Sequence, residues 1–414
     1  MTNHLSRRSV LACATGAALA STSTGRATAT AASATSSTWR QQQADSRNTG
    51  TAEAIPQRLA TDWSFEYGDP MIASPIVGHG SVYVGGDNRG VVSIDATSGE
   101  EEWRAPELGT IGATPALVGS TLFVQTFEGD LVAVDANDGT LGWRVETSPR
   151  PKAALVADGG TVVALSGHRL VSVDAEAGDV LWSHEFDNHV GNAPAMLNGA
   201  VFVDDGNGHL VRFDDDGPEE WRTELVGPIR HAPTATSDHV FIGSGATAGR
   251  LFALDTDTGA VSWTADFEGQ LTPSPAVDDG RIYVFARRES GSTLTCLDAD
   301  AGTEQWSTDI DHQVDVSPVV DGTTLLASTV SGKLVSLDAD TGDVRATEGV
   351  TDEGRLSAPA VADGTVYVTS TNGGVNALSA SESAVDVPGF GPLAALGGLG
   401  GYALIKQFQS DETS

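Results

Sequence analysis

The chain has 414 residues, 40% of them hydrophobic and 6% aromatic, ample for a large buried core. Its 56 acidic residues against 23 basic ones give a formal net charge of −33, which excludes a nucleic-acid partner because phosphate binding needs a cationic surface. The two cysteines, Cys13 and Cys296, lie far apart in a leader-like segment and a strand-like run, so no internal disulfide is expected.

In chain order, the first 38 residues read as leader and linker. Arg7 and Arg8 precede a short apolar run, a pattern that resembles a twin-arginine export signal, and residues 21–38 are small and polar with nothing to bury. Residues 39–62 form a lead-in. The acids are scattered and only three lysines accompany them, Lys152, Lys333 and Lys406. Such a surface repels itself in dilute buffer, whereas at molar salt the Debye length falls to about 3 Å and screens it. The balance resembles that of proteins from extreme halophiles.

From residue 63 to 380 the sequence repeats itself. An Asp recurs at Asp95, Asp135, Asp174, Asp214, Asp255, Asp298 and Asp338, every 39 to 43 residues. A small residue before proline recurs at Ser74-Pro75, Thr114-Pro115, Ala193-Pro194, Ala232-Pro233, Ser274-Pro275, Ser317-Pro318 and Ala358-Pro359. Between these markers lie runs such as "GSVYVGG", "GRIYVFA" and "KLVSLD", rich in Val, Ile, Leu and Tyr and bounded by Gly and Asp, which read as short strands. Four antiparallel strands in about forty residues are the signature of a β-propeller blade.

Tryptophan sets the blade count. It follows the Asp by eight residues at Trp103, Trp143, Trp182, Trp263 and Trp306, and by seven at Trp221. Trp63 has no repeat of its own upstream, while residues 354–380 supply three strands and lack a fourth. A strand at Trp63 completing that last sheet closes an eight-bladed ring and removes the open edge. Trp39, in the lead-in, is expected to lie outside the ring.

The stretch "ALDTDTGAVSW" opens like a calcium loop, but an EF-hand needs Gly at position six and Glu at twelve. Counted from Asp255, Gly259 stands at five and Asp266 at twelve. The spacing fits a strand-to-strand hairpin in which Asp accepts from turn amides and Gly supplies a positive φ. No metal site is assigned.

The tail, residues 381–414, holds Pro388-Gly389-Phe390 followed by an apolar run, which resembles the sorting signals of archaeal surface proteins. The run from Phe390 to Ile405 is sixteen residues, short of the ~20 that span a bilayer, and Lys406 is its only basic flank. Membrane anchoring through this segment is the expectation.

"ALDTDTGAVSW" and its copies resemble the pyrroloquinoline-quinone repeat, and "WRQQQADSRNTG", residues 39–50, resembles the lead-in found before such propellers. The resemblance covers residues 63–380. It implies that the outer-strand tryptophans Trp63, Trp103, Trp143, Trp182, Trp221, Trp263 and Trp306 dock on the neighbouring blade's backbone; Ala346 stands where the next would be. It does not imply the cofactor. Quinone-using members carry adjacent cysteines over the ring, a calcium ion and an aspartate base, and this chain has no Cys-Cys pair. Much of the wider family uses the propeller only to bind proteins, as in the lipoprotein that assists outer-membrane protein assembly.

In a propeller, the loops entering the innermost strands and those between second and third strands open on one face. Arg89, Arg150, Lys152, Arg169, Arg230, His231, Arg287, Arg288 and Arg355 fall there, with Arg250, Lys333, His168, His189, His209 and His312. Two readings stand. Loops are simply where polar residues sit, or this face is a positive mouth for an anionic ligand or a protein partner. No catalytic set is recognisable from local spacing. The expectation is an exported, surface-associated, monomeric scaffold without cofactor; the alternative is a dehydrogenase using pyrroloquinoline quinone with calcium to oxidise an alcohol or sugar.

Overall fold

Short Val-, Ile- and Leu-rich runs stopped by Gly or Asp do form strands, and the repeat spacing stacks them four to a sheet. The computed structural model describes residues 38–381 apart from 72, 152, 246, 247, 272 and 353. The leader, the tail segment and Lys152 therefore lie outside the described residues. Eight antiparallel sheets follow one another, and a single 3-10 turn at Pro106–Leu108 is the helical element among the described residues. The protein is an all-β, eight-bladed propeller.

Seven blades are continuous in sequence, spanning residues 76–105, 116–146, 156–185, 195–224, 234–268, 270–310 and 319–349. In the sixth, the short strand Gln270–Leu271 pairs with Arg281–Arg287 beside the innermost strand Ala276–Asp278. The eighth joins Ala360–Ala362, Thr365–Thr369 and Gly374–Ala380 to Leu59–Glu66 from the other end of the ring. There Trp63 stands opposite Ala377 and Phe65 opposite Val375, closing the ring with a shared strand.

The middle strands are buried throughout, as in Ser81–Gly85, whereas outer strands alternate half-buried and exposed, as in Leu141–Glu146. Each outer strand carries a register shift beside its tryptophan position, for instance between Ser93 and Ile94 opposite Trp103 and Glu101. Bulges of this kind re-aim a side chain. Here the indole turns onto the next blade's hairpin. The Nε1–H of Trp103 donates to the Ala136 carbonyl at 3.0 Å, Trp143 to Ala175 at 3.1 Å and Trp263 to Ala299 at 3.0 Å. Trp63, Trp182 and Trp221 donate to Ala96, Asp215 and Thr256. Trp306 Nε1 has no acceptor among the described residues.

The hairpin behaves as a turn. Asp255 Oδ1 accepts from Thr258 N at 2.8 Å, and Asp338 Oδ1 from Asp340 N and Thr341 N at 2.8 and 3.0 Å. The Ser98 amide and hydroxyl hold the Asp95 carboxyl below the usual carboxylate range, the Thr258 hydroxyl and amide do so at Asp255, and at Asp338 burial is outweighed by Arg345 with the Asp340 and Thr341 amides. The glycine does more than turn. A Cβ on Gly302 (φ +67°) would lie 2.5 Å from the Trp263 ring, and one on Gly139 2.6 Å from Trp103. Glycine is thus also the seat of the preceding blade's indole.

The largest departure from the sequence reading is the lead-in. Trp39 is 1% exposed and packs in the core cluster of the first and eighth blades, so it lies within the ring and not outside it. Innermost strands present an unpaired edge to the central channel, and buried backbone groups need partners. Residues 39–52 supply them blade by blade. Trp39 exchanges hydrogen bonds with Val77, and the carbonyls of Arg40, Ser46, Arg47, Thr49 and Gly50 accept from Leu117, Met196, Ala235, Val277 and Val320. On the third blade the Gln41 side chain does both jobs, accepting from Ala157 N and donating to Ala157 O. Asn48, fully buried at φ 59°, donates to the carbonyls of Pro194 and Pro233.

Candidate functional site

The small-Pro step marks where the innermost strands begin, with Ala153-Ala154 in its place on the third blade. Eight strands converge there, and the small residues of neighbouring blades meet around a throat. The Thr114 hydroxyl accepts from Ser74 N at 3.1 Å, and the Ser274 hydroxyl donates to the Ala232 carbonyl at 3.0 Å. Above the throat opens a funnel of about 590 Å³, walled by Met71, Ile111, Phe127, Leu356 and the small residues, with Gln42 of the lead-in among its lining. Its lining is mainly apolar, with Asp87, Asp315 and Arg355 as its charged members.

A side pocket of about 360 Å³ shares Pro273, Asp315 and Arg355 with the funnel wall. The loops entering the fifth and eighth blades and the end of the strand Arg281–Arg287 bring Arg230, His231, Arg287 and Arg355 together there, four of the residues singled out from sequence. Arg287 donates to Gln270 Oε1 at 3.1 Å, and Arg355 is ion-paired with Asp315. Arg230 is exposed and has no ion-pair partner among the described residues. His231 is 3% exposed, packs against Gly243 and carries no hydrogen bond on either ring nitrogen. Burial first, and the Arg230 charge second, push it down to about 4, so it is neutral at ordinary pH.

The other predicted face residues that the structure describes do not join this group. Arg89 pairs with Asp69 at 2.8 Å, and Arg150, at φ 61°, lies over the Phe127 ring at the funnel rim. Arg169 opens the strand Arg169–Asp174, and Arg288 pairs with Asp309 at 3.1 Å beside Gln313. Sequence reasoning missed Gln42, Gln270 and Asp315. Asp315 could have been found from its place two residues before the Ser317-Pro318 step; the two glutamines carried no such signal.

On the fourth blade, Asp204 is 2% exposed, accepts from Asn192 Nδ2 at 2.9 Å and from Gly206 N at 3.0 Å, and burial pushes it up to about 6. Among the described residues, the acids that come together closely enough to hold a metal ion are Asp214, Asp215 and Asp216, on a hairpin of the opposite face. They include the Asp215 whose carbonyl seats Trp182. The described lining of the funnel holds no cysteine, and its carboxylates are Asp87 and Asp315. Cys296, the free cysteine among the described residues, is buried inside the strand Ser292–Asp298, where burial pushes its thiol up to about 11. Of the two funnel carboxylates, Asp315 is already engaged by Arg355.

A family model described as outer membrane protein assembly factor BamB matches residues 1–128, 60–185, 127–228 and 215–387. Outer membrane protein assembly factor BamB of Yersinia pestis is 26% identical over 215 residues, 47% of this chain and 54% of that protein. The chain spans about half the length of the curated relatives it matches. Among solved structures, BamB from Moraxella catarrhalis aligns with TM-score 0.64 and 19% identity over 79% of this chain and 99% of that one. Quinohemoprotein alcohol dehydrogenase from Comamonas testosteroni aligns with TM-score 0.69 and 14% identity over 84% and 81%. At these identities the structural likeness speaks to the fold alone.

Proposed function

This chain belongs to the PQQ-like repeat family whose model is described as outer membrane protein assembly factor BamB, and from that premise we propose that it is a non-catalytic, protein-binding or assembly scaffold. The observation that carries the reading is the funnel: apolar-walled, open on the loop face, with the lead-in seated along the innermost strands below it. An apolar mouth with a few charged groups suits a protruding segment of a protein partner. We place the working protein outside the cytoplasm, exported by the twin-arginine route and held at the cell surface through its tail, as a monomer of haloarchaeal type. The domain limits proposed are 1–38, 39–62, 63–380 and 381–414.

The test is site-specific photo-cross-linking in the source cells. A cross-linker at Phe127 on the funnel rim is expected to capture a discrete protein, and one at Asp257 on the opposite hairpins is not. Equal capture from both faces defeats the reading. The dehydrogenase alternative is checked by titrating purified protein with pyrroloquinoline quinone and calcium. No saturable absorbance change and no dye reduction with alcohols or sugars is the expected outcome.

A further inference from the structure

We infer that the side pocket of Arg230, His231, Arg287 and Arg355, beside the funnel, is a binding site for a carboxylate. Three guanidinium groups and one carboxylate, Asp315, line the pocket, an excess of positive charge inside a protein of net charge −33. Arg355 is ion-paired with the Asp315 carboxylate there, so a guanidinium of this pocket already holds a carboxylate. Arg287 is bonded to a neutral amide, and Arg230 to no acidic group among the described residues, which leaves two charges for a ligand.

His231 makes the site a built one. A buried imidazole without hydrogen bonds on either nitrogen is a rare and costly arrangement. Being neutral, it offers one N–H, and an acceptor oxygen reaching the pocket floor satisfies that donor without bringing two like charges together. Carboxylate oxygens spread between this donor and the two arginines answer all three. At about 360 Å³ the pocket admits a small organic acid or the end of a peptide.

The experiment follows the His231 ring nitrogens by NMR in molar KCl. The probes are citrate and a short peptide with a free C-terminus, with inorganic phosphate and the C-amidated peptide as comparators. A saturable His231 shift with citrate or the free-acid peptide, and none with the comparators, is expected. Citrate alone identifies a free acid as the ligand, and the peptide alone a chain terminus. Arg230→Gln, at an exposed position, is expected to weaken binding about tenfold, the effect of losing one charge-assisted hydrogen bond. Arg89→Gln, on the same face, leaves it unchanged. The proposal is overturned by the absence of any saturable shift with either carboxylate, by an equal response to phosphate, or by equal weakening in the two variants. None of these outcomes bears on cross-linking at Phe127, so the scaffold reading stands or falls separately.

Discussion

The rim and the hub of this ring are held together by opposite means. At the rim one device is repeated: an indole bulged out of an outer strand lands on the glycine of the next hairpin, and in six blades also bonds a carbonyl. At the hub the bond repeats but the sequence that makes it does not. One aperiodic stretch, residues 39–52, accepts from an amide of seven innermost strands in turn, through backbone carbonyls and, at Ala157, through the Gln41 side chain. A repeated contact can be lost once and the ring keeps its others, whereas the hub segment closes the channel as a single piece.

The largest effect should therefore come from the hub. Deleting residues 1–55 is expected to lower the melting temperature in molar KCl more than any single rim substitution. The deletion unpairs innermost strands around the channel and uncovers Trp39's place in the core. Trp39→Ala, a fully buried truncation, should cost about 3–5 kcal/mol, measured by denaturant unfolding. A melting temperature for the deletion equal to that of Trp263→Ala would break the contrast.

At the rim, Trp263→Ala should fall at the lower end of the same range of about 3–5 kcal/mol, since the indole is only half-buried. Trp263→Phe removes one hydrogen bond to Ala299 and should cost about 0.5–1.5 kcal/mol beyond Trp306→Phe, whose indole N–H has no acceptor among the described residues. Glycine gives a finer comparison. Gly280→Ala meets nothing within 4 Å and pays only for its positive φ of 72°, about 1–2 kcal/mol. Gly302→Ala meets that same penalty and collides with Trp263, so it should be clearly worse. Equal losses would mean the rim glycines serve the turn and not the indole.

The same contrast explains what the sequence made legible. The rim is written in every repeat, so blade number, strand order and the closing strand at Trp63 follow from periodicity. The hub is written once, mostly through backbone groups that any residue presents, and neither the burial of Trp39 nor the bonding of Gln41 and Asn48 leaves a pattern. The candidate site lies between these cases. Its residues sit in loops whose face was predictable, but which of them meet depends on the spacing of four blades. Arg230, His231, Arg287 and Arg355 converge, while Arg89 and Arg150 stay with Asp69 and Phe127. The bulges that aim the indoles were equally hard to read: they break the alternation with two successive exposed residues, as at Val261 and Ser262 before Trp263, and Val beside Ser does not mark that break in the sequence.

The smallest expected effect concerns protons, and again separates rim from interior. Rim aspartates such as Asp95 and Asp338 are held below the ordinary carboxylate range, so their contribution is present above it and fades as pH falls through their lowered values. Two interior groups oppose each other at higher pH. His231, pushed down to about 4, stays neutral when folded, while an unfolded histidine binds a proton below about 6.5. The unfolded state then holds more protons, so this term loses stability as pH falls from about 6.5 toward 4. Asp204, pushed up to about 6, keeps its proton when folded while the unfolded carboxyl, with its ordinary value near 3.8, has lost it. That term loses stability as pH rises from about 4 through 6. The two slopes oppose each other over the same window. Wild-type unfolding free energy is therefore expected to change little between about pH 4.5 and 6, beyond the general charge repulsion suppressed by molar KCl. His231→Asn should leave a decline with rising pH, and Asp204→Asn a steeper rise. Urea unfolding at half-unit pH steps reads the slopes directly. Parallel profiles for both variants and wild type would show that neither interior group is titrating differently in the folded ring.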